Sequence, residues 1–549
     1  MLEERLDFMK RKILIISVGV LLLSTTMFFI YLKIFKVQTQ STGANNSNEL
    51  TSIQKKADFR YLTNLAVNAW PFSKSDSKVK GLSDISALSA EYIKMAGETK
   101  SDTEFMQLIE EYVTRLSQTG HAYLLHEDPI VTQLLAMSED EKNNIKQTLS
   151  FYNIDESALD KINYWYWMAD KIVKSKFIQP EIKITYTNGK YIVTEECKLK
   201  SSGKVLQKDA EIENINGYPV DEYVKILQTK SILGYDNNLS KLFIFNPLMV
   251  KAQNDDSELK VSFKLPNNHI EDTIVLQANQ STSYTSYPNV ITEDLREDIG
   301  YIKIFSFIAE NKEKDKKLIN DYINKSQNKY KKLIIDIRGN GGGDPEYWKN
   351  LIIAPLIKEP LEYTQTAVVK KNFFKIWGKT TQQYLDTQYI DAQTPSFLNK
   401  KSNAHLQEVN KVKNLPGYDD SWITYNVTNK IYPSDMLPFD GKIYLLVDGG
   451  TFSASEDFAQ FCKRTAFAKI VGNNTGGGAA AFMPPHYFCL PESKIIFRLE
   501  VEAVLNPDGT MSEELGTDPD IKMEIKPTPT NYNKESLMQD DWIRRIINY

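Results

Sequence analysis

The chain has 549 residues, which is too long for a single hydrophobic core, so its length predicts two to four domains. With 42% apolar and 25% charged residues, it is neither a disordered nor a fibrous chain. The 66 basic and 71 acidic residues give a net charge of −5, and no basic stripe with interleaved aromatic residues indicates nucleic-acid binding. Three cysteines are too few for a disulfide framework and lack the spacing of metal ligands. The sequence also has no HExxH motif and no calcium loop, so we expect neither a metal nor another cofactor.

The first distinctive segment is an uncharged apolar run at residues 13–32, which follows Lys10, Arg11 and Lys12. The run is about long enough for a helix to cross a ~30 Å hydrocarbon core, and no A-x-A-like cleavage site follows it. It predicts a transmembrane signal anchor, with residues 1–12 in the cytoplasm and the bulk of a single-pass membrane protein in the periplasm or outside the cell. A cleaved signal peptide is the alternative.

The rest of the chain divides by its hydrophobic pattern. Residues 33–49 are small and polar and predict a linker, whereas helical spacing of apolar residues over 50–179 predicts a mainly helical region. Short alternating runs with Asn-Gly turns predict a β-rich domain over 180–279. Over 280–549, strand-like runs alternate with helical patterns, which predicts an α/β core with a mostly parallel sheet and an irregular insertion at about 350–440. The predicted fold class is a multidomain α/β plus β protein with an N-terminal transmembrane helix.

The stretch TFSASE, residues 451–456, joins a buried strand-like run to a helical one. Ser453 and Glu456 have the spacing of a capping box, so helix capping is the simplest explanation of both. However, a strand, a Gly-Gly turn and a helix start also present a side chain at the top of a sheet, beside free N–H groups. Ser453 is therefore a candidate nucleophile as well as a candidate cap.

A second glycine-rich turn, GNGGGD at residues 339–344, follows another buried strand-like run. Its backbone N–H groups suit an anionic oxygen, but it lacks the G-K-[ST] ending of a phosphate loop, so nucleotide binding is not expected. A serine nucleophile also needs a base. The spacing of the chain does not choose among its histidines, which are His121, His126, His269, His405 and His486.

Five segments in order resemble the tail-specific or C-terminal-processing serine peptidases, family S41. GYIKIFSF resembles the family's strand ending in Ser-Phe, LIIDIRGNGGG its DLRxNxGG, YLLVDGGTFSASEDFA its TxSAxE, IVGNNTGGG its VGxxTxG, and EELGTDPDI its ExxGVxPDI. The resemblance implies an endopeptidase that hydrolyses peptide bonds in exported proteins or peptides. LQKDAEIENINGYPVDEYVKIL also resembles a PDZ domain, with Lys208-Asp209 in place of Gly-Asp, which implies binding of C-terminal tails. The alternative is a purely structural module that packs against the peptidase region and binds no peptide.

Within the family, the TxSAxE motif implies that Ser453 is the nucleophile. Members with a Ser-Lys pair have a lysine where this chain has Gly478, so the chain is more similar to the branch of the tricorn core and the interphotoreceptor retinoid-binding protein. That branch uses a histidine in a Gly-His context, which implies His121 as the base. Where the branch carries a serine before this histidine, the chain has Gly120.

The same resemblance implies the remaining site residues. The ExxG segment implies that Glu513 helps to orient the histidine, directly or through another group, with the adjacent Glu514 as the alternative. The backbone N–H of Ala454, together with Gly341 or Gly342, is implied as the oxyanion hole. Because retinoid-binding relatives share the fold, a non-catalytic ligand- or peptide-binding protein is the competing hypothesis. A scaffold acting through the PDZ-like region alone is a further one.

Overall fold

The structure is a computed structural model that describes most of the chain after residue 49. The described residues are 50–72, 84–124, 158, 161–162, 164–166, 168–169, 178–249, 258–279, 288–308, 312–326, 329–378, 405–411, 415–416, 418–481, 486–526, 529 and 531–549.

The structure corrects the prediction of a single-pass membrane protein with its bulk outside the cytoplasm. Within the described residues, no helix combines the length and the apolar character needed to cross a bilayer. The proposed cytoplasmic stub at 1–12, anchor at 13–32 and linker at 33–49 lie outside the described residues.

Three capped helices open the described chain. The hydroxyl of Thr51 and the carboxylate of Asp84 each accept a backbone N–H of the first turn, as does the hydroxyl of Ser101. Their buried residues form one core with strand residues from 367–369 and 495–505, so the predicted helical region shares its core with the C-terminal part. The elements are α1 (Ser52–Asn68), α2 (Ile85–Glu98), α3 (Asp102–Leu116) and the short strand β1 (Ala122–Leu124).

The predicted β-rich region has an antiparallel sheet and its own apolar core. Its strands alternate buried and more exposed residues, as expected for a sheet with one face on a core. The sheet order is β2-β12-β11-β7-β4-β3, with β8 beside β7. The elements are β2 (Ile178–Pro180), β3 (Ile184–Thr187), β4 (Lys190–Val193), β5 (Cys197–Lys198), β6 (Val205–Leu206), β7 (Glu211–Ile215), β8 (Tyr218–Pro219), α4 (Val220–Ile226), a 3₁₀ turn (Leu227–Thr229), β9 (Gly234–Asp236), β10 (Lys241–Phe243), a second 3₁₀ turn (Pro247–Met249), β11 (Glu258–Lys264) and β12 (Ile270–Asn279).

The C-terminal half contains the predicted, mostly parallel sheet. Its order is β13-β14-β15-β19-β20-β24, and only β13 runs antiparallel to its neighbour. Two separate apolar clusters cover the two faces, which explains the near-continuous apolar runs of these strands. The strands are β13 (Val290–Arg296), β14 (Ile299–Ile304), β15 (Lys332–Asp336), β16 (Leu361–Lys370), β17 (His405–Lys411), β18 (Trp422–Ile431), β19 (Lys442–Val447), β20 (Lys469–Gly472), β21 (Tyr487–Cys489), β22 (Ile496–Leu499), β23 (Glu502–Leu505) and β24 (Ile521–Lys522).

The segment predicted as an irregular insertion, 350–440, is more regular than its sequence suggested. Two ten-residue strands, β16 and β18, lie in a second sheet of order β17-β18-β16-β23, where polar and apolar residues alternate because one face is buried. A third sheet, β1-β22-β21, joins the N-terminal region to the C-terminal half. The helices of this half are α5 (Lys312–Ser326), α6 (Pro345–Trp348), a π turn (Lys349–Ile353), α7 (Ala354–Leu356), α8 (Lys371–Trp377), α9 (Ala454–Thr465), α10 (Ser512–Leu515), α11 (Lys534–Gln539) and α12 (Asp541–Ile547).

Candidate active site

The two glycine-rich turns meet at the carboxyl ends of the adjacent parallel strands β15 and β19. The Asp448 carboxylate accepts the backbone N–H of Gly339 at 2.8 Å and that of Gly450 at 3.0 Å. The Phe452 N–H donates to the carbonyl of Asn340 at 3.1 Å. These bonds hold the TFSASE turn against the GNGGG turn, so the backbone groups of both turns lie together at the carboxyl ends of β15 and β19.

Ser453 stands between β19 and α9 in an unusual backbone conformation. Its φ is 59° and its ψ is −124°, a region that costs a non-glycine residue about 1–3 kcal/mol. Its N–H donates to the Gly477 carbonyl at 3.0 Å, which helps to hold this conformation. The hydroxyl makes no capping bond to the start of α9. The structure therefore does not support the capping explanation, and the half-buried hydroxyl remains available for chemistry.

Glu456, the other half of the expected capping box, has a different structural role. Its fully buried carboxylate accepts hydrogen bonds from the hydroxyls of Ser512 at 2.9 Å, Thr517 at 2.7 Å and Thr475. Burial raises the pKa of this carboxyl to about 7, against the effect of these hydrogen bonds. Glu456 thus ties α9 to the loop after β20 and to the segment around α10.

His121 is paired with Glu500, a residue that the sequence did not single out. Strand β1 runs antiparallel to β22 with Ala122 opposite Leu499, so the same register sets His121 against Glu500. The His121 Nδ1 atom lies 2.7 Å from Glu500 Oε2, and both side chains are buried. The imidazole also packs on the Phe452 ring, with 4.6 Å between ring centroids, which brings it beside the residue that precedes Ser453.

The surroundings favour a neutral imidazole and an ionised carboxylate. Burial lowers the pKa of His121, and the nearby charge of Arg498 lowers it further, against the opposing effect of Glu500. Burial opposes the ionisation of Glu500, but the hydrogen bond with His121 and the positive charges nearby keep its pKa below the ordinary value. Arg498 lies 3.8 Å from Glu500 Oε2 and donates to the Tyr123 hydroxyl at 3.0 Å. A neutral histidine held by a carboxylate is the form that a general base requires.

Glu513, predicted to help orient the histidine, makes no direct hydrogen bond to His121. It is 1% exposed, and neither carboxylate oxygen has a hydrogen-bond partner among the other described residues. Burial raises the pKa of Glu513 well above its ordinary value, and the carboxylates of Glu500, Glu456 and Glu502 add to this rise. Because the β1–β22 register already places Glu500 against His121, the carboxylate on Nδ1 is that of Glu500. The alternative, Glu514, lines the same cavity as Glu513.

The predicted oxyanion-hole residues lie together, but the Gly342 N–H already has a hydrogen-bond acceptor, whereas those of Gly341 and Ala454 have none among the described residues. A Cβ placed on Gly342, where φ is +102°, would lie 2.8 Å from both the Ser453 Cβ and the Ala454 nitrogen. The Gly342 N–H already donates to the Asn340 side chain at 2.9 Å. The N–H groups of Gly341 and Ala454 have no hydrogen-bond acceptor within the described part of the chain.

Two glycines stand where members of the resembled family carry a polar side chain, a lysine at Gly478 and a serine at Gly120. At Gly478, the lysine position of the Ser-Lys branch, an added Cβ would lie 2.5 Å from the Phe452 ring. At Gly120, an added Cβ would lie 2.7 Å from the Phe72 ring. Aromatic rings therefore fill the space beside both residues, which have φ near +75°.

A cavity of about 310 Å³ opens beside His121 and Phe452. Three parts of the chain line it: the end of α3 with β1, the segment around β9, and the loops near Gly476 and Glu513. The β-rich region therefore contributes directly to the walls of the candidate site.

Comparison with known proteins agrees with this architecture. Residues 298–523 match the model of Peptidase family S41. Mature CPAF complexed with lactacystin shares the fold, with 13% identity, coverage of 86% of this chain and 94% of CPAF, and a TM-score of 0.52. The chain is also similar to the photosystem II D1 C-terminal processing protease, with 14% identity, coverage of 90% of this chain and 97% of that one, and a TM-score of 0.37. For the tricorn protease the identity is 14%, the coverage 82% of this chain and 37% of that one, and the TM-score 0.27. No curated protein sequence matches the chain.

Proposed function

Because residues 298–523 match the model of Peptidase family S41, we propose that the chain is a serine peptidase that hydrolyses peptide bonds in polypeptides, with Ser453 as the nucleophile. The observation that carries this proposal is the conformation of Ser453. Ser453 has a strained backbone, its hydroxyl caps no helix, and Gly342 lies against its Cβ. A purely structural role does not explain why this serine is held in a conformation of high energy.

The neighbouring groups supply the rest of an acyl-transfer mechanism. With Nδ1 bonded to Glu500, the His121 Nε2 is the nitrogen that takes the proton of the Ser453 hydroxyl as its oxygen attacks the carbonyl carbon. The N–H groups of Ala454 and Gly341 stabilise the resulting oxyanion. The imidazolium then protonates the leaving amine, and a water molecule activated by the same histidine releases the acyl group.

The β-rich region, 180–279, takes part in substrate binding in this proposal. Its sequence resembles a PDZ domain, its sheet ends in strand β3, and its residues near β9 line the cavity beside His121. An extended segment of the substrate, such as a chain end, adds to such an edge through backbone hydrogen bonds.

The test compares Ser453→Ala with Ser455→Ala in the full-length chain. Ser455 is adjacent and fully buried, and its hydroxyl has no hydrogen-bond partner among the described residues, so its loss controls for general damage to the turn. We expect hydrolysis of an unfolded protein such as casein by wild type and by Ser455→Ala, and none by Ser453→Ala, with equal circular dichroism for all three. Hydrolysis by Ser453→Ala would refute the assignment, and a folded wild type that binds but never cleaves polypeptides would favour a binding protein.

A further inference from the structure

A buried arginine connects the C-terminal helix α12 to the glycine-rich turn of the candidate site. Arg338 is the residue that precedes the GNGGGD turn, and its side chain is buried. Its Nε and Nη2 donate to the carboxylate of Asp336, at the end of β15, at 3.1 and 2.6 Å. Its Nη1 donates to Asp540 Oδ2 at 2.8 Å. The guanidinium thus bridges the end of a central strand and the C-terminal segment, which lie 202 residues apart in the chain.

Asp540 forms the other end of this connection. Its Oδ1 accepts the backbone N–H groups of Trp542 and Ile543 at 2.8 and 3.0 Å, which caps α12, while its Oδ2 accepts from Arg338. The guanidinium also lies over the Trp542 ring, with 5.1 Å between the Arg338 Cζ and the ring centroid. Trp542, Ile543 and Ile546 are buried in the apolar cluster on one face of the parallel sheet. The Asp540 carboxylate is therefore held in place by a packed helix.

The start of the glycine-rich turn depends on the position of Arg338. The Arg338 carbonyl accepts a hydrogen bond from the Nζ of the buried Lys303, and the N–H of the next residue, Gly339, donates to Asp448 at 2.8 Å. Gly341, whose N–H is proposed for the oxyanion hole, lies in the same turn. A shift of the arginine would thus be transmitted to that N–H through a short segment. A displacement of about 1 Å in an active site is enough to lower a rate by about 10²-fold.

Stability alone does not require a buried ion pair at this place. Replacing such a pair by apolar residues of similar volume is often neutral or stabilising, because removing charges from water is costly. A planar guanidinium that donates to two carboxylates, by contrast, fixes their relative position through the directions of its N–H groups. The Arg338–Asp540 pair is therefore suited to hold the turn in one conformation.

We propose that Asp540 is a positioning residue of the active site, which acts through Arg338 to keep the Gly341 N–H directed at the oxyanion. The C-terminal helix then contributes to catalysis although Asp540 does not act on the substrate itself. Removing the charge of Asp540 should slow the chemical step and leave substrate binding nearly unchanged. This inference rests on the proposed function, because it assumes that the turn stabilises an oxyanion.

Two variants of the full-length chain remove the charge of Asp540 and keep the helix cap. Asparagine and serine are both good N-caps, so Asp540→Asn and Asp540→Ser retain an acceptor for the first turn of α12 but no anion for Arg338. Asp541→Asn is the matched control, because this neighbouring carboxylate pairs with Lys526 and Arg544 at the surface. We expect kcat for a fluorogenic peptide to fall about tenfold or more in both Asp540 variants, with KM within about threefold of wild type and the control unchanged.

A transition-state analogue separates positioning from general destabilisation. A peptide boronic acid forms a tetrahedral, anionic adduct with an active serine, so it should inhibit both Asp540 variants about tenfold or more weakly than wild type. The corresponding substrate peptide, followed by fluorescence anisotropy, should bind Ser453→Ala equally with and without the Asp540 change. Thermal unfolding identifies a temperature at which all the proteins are folded, and the measurements are made there.

The outcomes distinguish this inference from the proposed function. Wild-type hydrolysis with unchanged kcat in Asp540→Asn, or a loss confined to KM, would overturn the inference alone. Failure of both Asp540 variants to fold would assign the residue to stability and would also overturn it. No hydrolysis by the folded wild type would refute the peptidase mechanism and this inference with it.

Discussion

His121 and Glu500 face each other across an antiparallel pair of strands and are joined twice. The His121 Nδ1 lies 2.7 Å from Glu500 Oε2, and the Glu500 N–H donates to the His121 carbonyl at 2.7 Å. The backbone bond fixes the separation of the two side chains, so the imidazole orientation follows from the β1–β22 register. Two residues that lie 379 positions apart in the chain are thus held as one hydrogen-bonded pair.

The first prediction separates Glu500 from Glu513 as the residue that orients His121. Glu500→Gln should lower kcat/KM by about 10²–10⁴-fold on a substrate without lysine or arginine, because the tautomer and the stabilisation of the imidazolium are lost. Glu513→Gln should stay within about threefold of wild type on that substrate. Initial rates with a neutral fluorogenic peptide measure kcat/KM for both variants. A larger loss of kcat/KM in Glu513→Gln than in Glu500→Gln would assign the orienting role to Glu513 instead.

The second prediction concerns the pH profile. The charge of Arg498 lowers the pKa of His121, so its removal by Arg498→Gln should raise that pKa. Since the base acts only when neutral, the acid limb of kcat/KM should then move to higher pH. Arg498→Lys keeps the charge and should keep the limb near that of wild type, as should the exposed Arg545→Gln. A role of Arg498 in packing alone would lower the rate at all pH values without moving the limb.

The third prediction concerns Gly342, which lies against Ser453 in the GNGGG turn. Gly342→Ala would place a Cβ 2.8 Å from the Ser453 Cβ in a conformation with φ of +102°, so the turn must move and activity should be lost. Gly339→Ala is the matched control in the same turn, because φ is +70° but the space around its Cβ is empty within 4 Å. It should cost about 1–2 kcal/mol of stability and leave most of the activity. Thermal unfolding and peptide hydrolysis distinguish the two, and equal activity of both variants would contradict the proposed role of Gly342.

Some of this architecture follows directly from the sequence. The near-continuous apolar runs that become β14, β15 and β19 predict a buried parallel sheet, and the carboxyl ends of neighbouring strands necessarily bring their turns together. That the two glycine-rich turns form one site was implied by the resemblance to family S41 and not by the strand pattern itself. The sequences of β16 and β18 also alternate polar and apolar residues, as expected for strands with one buried face. The long segments that flank these strands made the pattern hard to recognise.

Other features depend on tertiary structure. Ser453 and Glu456 fit a capping box in sequence, and only the φ of 59° and the uncapped hydroxyl distinguish a presented serine from a cap. Glu500 was missed because no local motif marks it. Its contact with His121 arises from a strand pairing between distant segments, whereas the resemblance implied Glu513, which makes no direct hydrogen bond to the histidine.

The activation of Ser453 by His121 is tested most directly by the covalent labelling of the serine. Wild type and His121→Ala are treated with a fluorophosphonate at neutral pH, and peptide mass spectrometry identifies the modified residue and its rate of formation. We predict an adduct on Ser453 in the wild type and labelling about 10² times slower or more in His121→Ala, because the hydroxyl has lost its base. An adduct on another residue, or equal labelling of Ser453 in both proteins, would contradict the mechanism.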